Sequence, residues 1–128
     1  MDSSHIYWTN INFETIGRAD LDGQNVNQNF IIPGPVGLYG LAVHSRYIYW
    51  GDLANNMIGR ADLDGQNVNL SFIIGASGPR GVAVDRGHIY WTNSYPGTIG
   101  QSDLDGQNVN QSFVTGGSSS FGLALDPE

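Results

Sequence analysis

The sequence predicts an all-β chain assembled from three copies of one unit of four antiparallel strands. Three observations carry that prediction. A tryptophan segment recurs as "HIYWTN" at 5–10, "YIYWGD" at 47–52 and "HIYWTN" at 88–93, so that Trp8, Trp50 and Trp91 stand roughly 40 residues apart. A longer stretch keeps the same spacing: "TIGRADLDGQNVN" at 15–27, "MIGRADLDGQNVN" at 57–69 and "TIGQSDLDGQNVN" at 98–110. A small apolar run completes the set, "YGLAV" at 39–43, "RGVAV" at 80–84 and "FGLAL" at 121–125.

Each period holds four short strand candidates. The first is "GLAV" or its variants, the second "IYW" with the residue after it. The third runs through "IGRAD", and the fourth is "NFII", "SFII" or "SFVT". Val, Ile, Phe, Tyr and Trp dominate these runs, the residue types that fit a pleated, buried surface. "IYW" shows no polar alternation, which predicts a strand covered on both faces of its sheet. The repeated "LDGQN" joins the third strand to the fourth, and Asp-Gly there supplies the positive φ of a hairpin. "PGPVG" (33–37) and "GASGP" (75–79) separate successive units, with proline stopping the preceding strand. No stretch keeps a sustained period of 3.6, so little or no helix is expected.

Composition narrows the function. The 128 residues carry a formal charge of −7, with five arginines and no lysine. An acidic chain without a basic patch is a poor match for nucleic-acid phosphates or an anionic membrane surface. With no cysteine there is neither a disulfide framework nor a thiolate metal site. No apolar run approaches the roughly 18 residues of a membrane-spanning helix. The opening "MDSSHIYW" has no charged-then-apolar signal segment.

Four antiparallel strands repeated at this period are the signature of β-propeller blades. A single blade leaves both faces of its sheet bare, so neighbours must cover them around a ring. The three Tyr-Trp strands, the "LDG" turns and the "GLAV" strands resemble the YWTD repeats, the class B repeats of low-density lipoprotein receptors. The resemblance runs over essentially the whole chain. It implies blades of a six-bladed propeller, in a family that is often extracellular. The family's Asp after Tyr-Trp-Thr falls on Asp52, whereas Asn10 and Asn93 stand in its place in the other two copies.

Three blades are fewer than the four to eight with which propellers close. The repeats divide the chain at about 5–38, 39–79 and 80–120. This division leaves the first unit without a first strand and places a spare one at 121–128. The expectation is a homodimer in which the spare strand of each copy completes the other's first blade, closing one six-bladed ring. Its seam would hold His5, Ile6, Tyr7 and Trp8 against Phe121, Gly122, Leu123, Ala124 and Leu125. Between blades, Tyr7, Trp8, Tyr49, Trp50, Tyr90 and Trp91 supply the large packing surfaces.

Residues that bear chemistry are sparse. "DLDGQN" occurs three times and opens like a calcium loop, but it lacks the closing glutamate and reads as a turn. His5 and His88 share one repeat position, and His44 stands where Asp85 and Asp126 do. They are parts of the repeat rather than a metal cluster, and no metal or cofactor is expected. No Gly-x-Ser-x-Gly segment is present. Two Asn-x-Ser sequons, at Asn69 and Asn110, read as ordinary polar residues at the start of an outer strand. The loops "INFET", "LANNM" and "SYPGT" differ while the opposite turns are identical, and Tyr39, Arg80 and Phe121 differ beside them. With Asn56 and Tyr95 these would line the mouth of the channel, a place for a small, peptide or sugar ligand. The function expected is a non-enzymatic, self-assembling scaffold or binding module, whether an amplified natural repeat or a designed one. The alternatives are a carbohydrate-binding or small-ligand-binding propeller and, behind it, a hydrolase or lyase at the channel mouth.

Overall fold

A computed structural model of the chain describes residues 5–34, 37–95, 97–117 and 122–126. Eleven strands account for its regular structure: β1 (His5–Asn10), β2 (Thr15–Asp20), β3 (Asn27–Ile31), β4 (Leu38–His44), β5 (Tyr47–Asp52), β6 (Met57–Asp62), β7 (Asn69–Ile74), β8 (Pro79–Val84), β9 (His88–Asn93), β10 (Thr98–Asp103) and β11 (Asn110–Val114). They form three antiparallel sheets, β1-β2-β3, β4-β5-β6-β7 and β8-β9-β10-β11. These are three consecutive blades, and among the described residues the first has three strands where the others have four.

The tryptophan strands sit second in the full blades, hydrogen-bonded on both sides. Tyr49 pairs with Ala42 on one side and Arg60 on the other, and Tyr90 with Ala83 and Gln101. Each indole lies flat over a glycine of the next strand. A Cβ built on Gly59 would fall 2.2 Å from Nε1 of Trp50, and Gly17 and Gly100 stand in the same relation to Trp8 and Trp91. No side chain fits beneath these rings. Gly59→Ala is therefore expected to destabilise the fold by about 1–3 kcal/mol, the usual cost of overpacking a core, read as a lower midpoint in urea unfolding.

Two details depart from the sequence-based strand limits. The inner strands start earlier than "GLAV", because a bulge lets Leu38 pair with Asp52 and Leu41 with Trp50, and likewise Pro79 with Asn93 and Val82 with Trp91. The bulge brings inner strands into close approach: a Cβ on Gly40 would meet the Arg80 carbonyl at 2.4 Å. The "LDGQN" turns are longer than a two-residue hairpin. The amide of Gly23 donates to the Asp20 carbonyl, that of Asp20 donates to Gln24, and Gly23 and Asn25 both take positive φ. The other two copies repeat these bonds and angles.

The core lies between the blades. Ile16 and Ile31 of the first blade pack against Ile48, Trp50 and Ala61 of the second, with Tyr7, Phe30 and Leu63 at the margin. Ile58, Ile73 and Tyr49 of the second meet Ile89 and Trp91 of the third, with Phe72 and Leu104 at the margin. One face of each blade, carrying tyrosine and phenylalanine, thus covers the tryptophan face of the next.

Candidate binding surfaces

The rule that one blade covers the next leaves a tryptophan face over on the first blade and a tyrosine face over on the third. On the first, Ile6 is 44 % exposed, although its counterparts Ile48 and Ile89 are fully buried. Leu21 is 61 % exposed, whereas Leu63 and Leu104 at the same repeat position pack into the core. Trp8 is half-buried, against 0 % exposure for Trp50 and Trp91. The double-sided cover that the unbroken "IYW" predicts is therefore complete only in β5: in β9 the Trp91 face is covered while Tyr90 is only half-buried, and in β1 the Trp8 face lacks a neighbour and an inner strand among the described residues. On the third blade Val114 is 48 % exposed, while its counterparts Ile31 and Ile73 are buried. Phe30 and Phe72 each lie against the following blade's turn glycine, at Gly65 and Gly106. Phe113 has no such turn to cover among the described residues, and Gly23, the turn glycine of the first blade, has nothing within 4 Å of its would-be side chain.

The tyrosine face also carries the cations. Arg60 lies 4.0 Å over the Tyr47 ring and 4.1 Å over that of Phe72, and Arg18 4.0 Å over Phe30. Burial pushes the Tyr49 hydroxyl above its ordinary pKa, and its hydrogen bond with Arg60 opposes that shift. In the third blade Gln101 replaces the arginine and donates to the Tyr90 hydroxyl at 3.3 Å. His5, Tyr7 and Phe30 form a ladder of tilted rings that is repeated by His88, Tyr90 and Phe113.

Asp52 and its replacements do related work by different bonds. Asp52 is fully buried and accepts from the Gly37 and Asn55 amides and from the Asn55 side chain. Asn93 Oδ1 accepts from the Ser77 amide, so both tie down the segment that leads into the inner strand. The Asn93 amide also donates to Thr98 and to Gln111 Oε1, which in turn accepts from Trp91 Nε1 at 3.0 Å. Asn10, Thr15, Gln28 and Trp8 repeat that network. The second blade has Met57 and Leu70 in place of the threonine and glutamine, and Trp50 Nε1 is buried with no hydrogen-bond partner among the described residues. A buried donor left unmade costs roughly 1–3 kcal/mol. Leu70→Gln is expected to raise stability by about 1 kcal/mol, since Gln supplies the missing acceptor at the loss of some apolar contact. Urea unfolding checks the sign.

Of the residues expected at a channel mouth, the structure brings Tyr39 and Arg80 together, the guanidinium carbon 5.4 Å from the ring centre. Asn56 Oδ1 accepts from the Gly78 amide at 2.8 Å, pinning the second blade's loop to the third blade. Tyr95 lies next to Gly78 and is 66 % exposed. Phe121 lies outside the described residues. Of the other seam residues, Gly122, Leu123, Ala124 and Leu125 belong to no sheet among the described residues. Leu123 and Leu125 are half-buried, Gly122 and Ala124 exposed. No three His, Cys, Asp or Glu side chains among the described residues are grouped to hold a metal ion. Sequence reasoning missed Leu21, Gly23, Phe113 and Val114, because their repeat positions look like turn and outer edge until the blades are stacked.

Asp85 caps the turn between β8 and β9, its carboxylate accepting from the Gly87 and His88 amides at 2.9 Å each. These two bonds, with His88 and His44 nearby, hold its pKa below the ordinary aspartate value. The stabilisation is complete above about pH 4, the unfolded value, and is lost as pH falls through the lower folded value. Asp85→Asn is expected to lower the thermal midpoint at neutral pH, where the carboxylate's contribution is present, and to flatten the fall of the midpoint below about pH 4, as thermal melts at each pH would record.

Neither a protein-family model nor a curated sequence matches the chain. Solved structures do. A crystal structure of a nidogen/laminin complex is 31 % identical with a TM-score of 0.71, over 84 % of this chain and 43 % of that one. A gluconolactonase from Xanthomonas campestris, XC5397, is 19 % identical with a TM-score of 0.67, over 88 % of this chain and 38 % of that one. The second likeness concerns the fold alone. This chain spans less than half the length of either. The three Tyr-Trp repeats, the blade topology and the likeness to the nidogen propeller identify the chain as a partial β-propeller of the YWTD type.

Proposed function

We propose that the chain is a non-enzymatic scaffold or binding module that assembles with a second copy of itself, head to tail, into one six-bladed ring. The observation that carries this is the match between the two uncovered faces. Inside the chain, a face bearing Tyr, Phe and Ile covers a face bearing Ile, Trp and Leu twice over, and what remains is one face of each kind. Tyr90, Phe113 and Val114 of one copy stand to Ile6, Trp8 and Leu21 of the other as Tyr49, Phe72 and Ile73 stand to Ile89, Trp91 and Leu104. Such a contact is heterologous, and it closes after two copies if each turns through half a ring. The absolute mass by light scattering after size exclusion tests it. A mass near twice the 13.8 kDa protomer is expected, and the protomer mass itself would overturn the assembly.

A second reading is favoured by the Tyr39–Arg80 pair, an aromatic face beside a cation, which we assign to the channel mouth of the ring. In a two-fold ring the pair occurs twice, an arrangement suited to an anionic sugar or peptide. Binding on a glycan array that is lost in Tyr39→Ala would support it, and an array without signal would count against it.

A further inference from the structure

We propose that assembly completes the first blade by strand addition, with Gly122–Asp126 of one copy running antiparallel to β1 of the other. Leu123 then lies opposite Trp8, Ala124 opposite Tyr7 and Leu125 opposite Ile6. This rests on the assembly proposed above but on separate observations. Among the described residues β1 is the edge strand of its sheet, with β2 its one strand neighbour, whereas β5 and β9 are paired on their other side by β4 and β8. A sheet edge of this kind is a template for another strand. Asn10 repeats the point: Asp52 and Asn93 accept the amide ahead of their own inner strand, and among the described residues nothing fills that place at Asn10.

The segment that fits the edge stands beside the third blade. Gly122-Leu-Ala-Leu-Asp126 repeats the order of Gly81-Val-Ala-Val-Asp85 and nearly that of Gly40-Leu-Ala-Val-His44. Leu125 and Asp126 share a cavity of about 560 Å³ with the Val84–His88 turn. The segment thus stands beside the β8–β9 turn and belongs to no sheet among the described residues. The register follows from the internal copies. Val82, Ala83 and Val84 pair with Trp91, Tyr90 and Ile89, and Leu41, Ala42 and Val43 with Trp50, Tyr49 and Ile48.

Paired cysteines test the register in a chain that has no cysteine of its own. The Asp85 amide donates to the His88 carbonyl, so the neighbouring Val84–Ile89 pair is a non-hydrogen-bonded one. Its Cα atoms come within about 4.5 Å, inside the span a disulfide bridges. By correspondence, Leu125→Cys with Ile6→Cys is expected to give, on mild oxidation, a reductant-sensitive band at twice the protomer mass in a denaturing gel. Leu125→Cys with Tyr7→Cys, one residue out of register and on the opposite face, is expected to link poorly. Should the first pair fold badly, Asp126→Cys with His5→Cys probes the same register at the rim. If the unaltered chain has the dimer mass but no in-register pair links, or both registers link alike, strand addition falls while the assembly stands. An oxidised band at protomer mass, from a bridge within one chain, also overturns it. If the unaltered chain has the protomer mass, the assembly falls first.

Discussion

Trp50→Ala is expected to lower the unfolding free energy by about 3–5 kcal/mol, the range for removing a large aromatic side chain from a core. Trp50 is fully buried. It stands in the middle blade, where neither face is open to solvent. It belongs to the cluster that joins the first and second blades, with Ile16, Ile31, Leu38, Ile48 and Ala61. Gly59 beneath the ring has no side chain to fill the space that alanine leaves. The unpartnered Nε1 pulls the other way, since deleting it removes a buried donor that costs roughly 1–3 kcal/mol. The indole's apolar surface outweighs that relief, because a Trp ring buries on the order of 200 Å² at about 25 cal/mol per Å². A domain whose whole stability is about 5–15 kcal/mol is left marginal. Trp8→Ala is the informative comparison. Trp8 is half-buried in the chain alone, so its truncation costs less there and reaches the Trp50 value only where a second copy covers it. Chemical denaturation of both variants at low and high protein concentration separates the two cases. A Trp50→Ala midpoint equal to that of the parent would contradict the packing described.

Much of this fold is legible in the letters because each copy checks the others. "IYW" predicts a covered strand, and Tyr49 and Trp50 are 1 % and 0 % exposed. The turn asparagines and glycines, Asn25 and Gly23 with their copies, take the positive φ that their residue types favour. What the letters hide is set by neighbours in space. Nothing in "NFI" or "SFV" distinguishes a phenylalanine lying on the next blade's turn, as Phe72 does, from one left exposed, as Phe113 is. The exchange of Asn93, Thr98 and Gln111 for Asp52, Met57 and Leu70 is visible as three separate differences. Only the antiparallel register shows that they surround one indole nitrogen. That Asn56 holds the Gly78 amide of the next blade is likewise invisible in the letters.

Ile6→Asp is expected to abolish assembly while leaving the protomer folded. Ile6 is 44 % exposed in the single chain, so the change removes little of the protomer's own core. In the ring the same side chain would be as buried as Ile48 and Ile89. Losing it forfeits roughly 1.5–3 kcal/mol of apolar burial per seam, before the further cost of enclosing an unpaired carboxylate. A closed ring of two copies has two seams, so every such substitution counts twice. The total is at least about 3–6 kcal/mol, or roughly 10²–10⁴ in the dissociation constant. Phe113→Asp, on the opposite face, is expected to do the same. The two variants together make the sharper test. A mixed pair has one seam carrying both defects and one seam with neither, because the sound Ile6 of one chain meets the sound Phe113 of the other. Mixing two protomeric variants is therefore expected to produce a heterodimer held by a single intact seam, resolved by light scattering and by native mass spectrometry. If Ile6→Asp alone keeps the dimer mass, the tryptophan face of the first blade is not what holds two copies together. If the mixture stays protomeric while each variant is folded, the contact is not head to tail, since only a heterologous joint lets one sound face from each chain rescue the other.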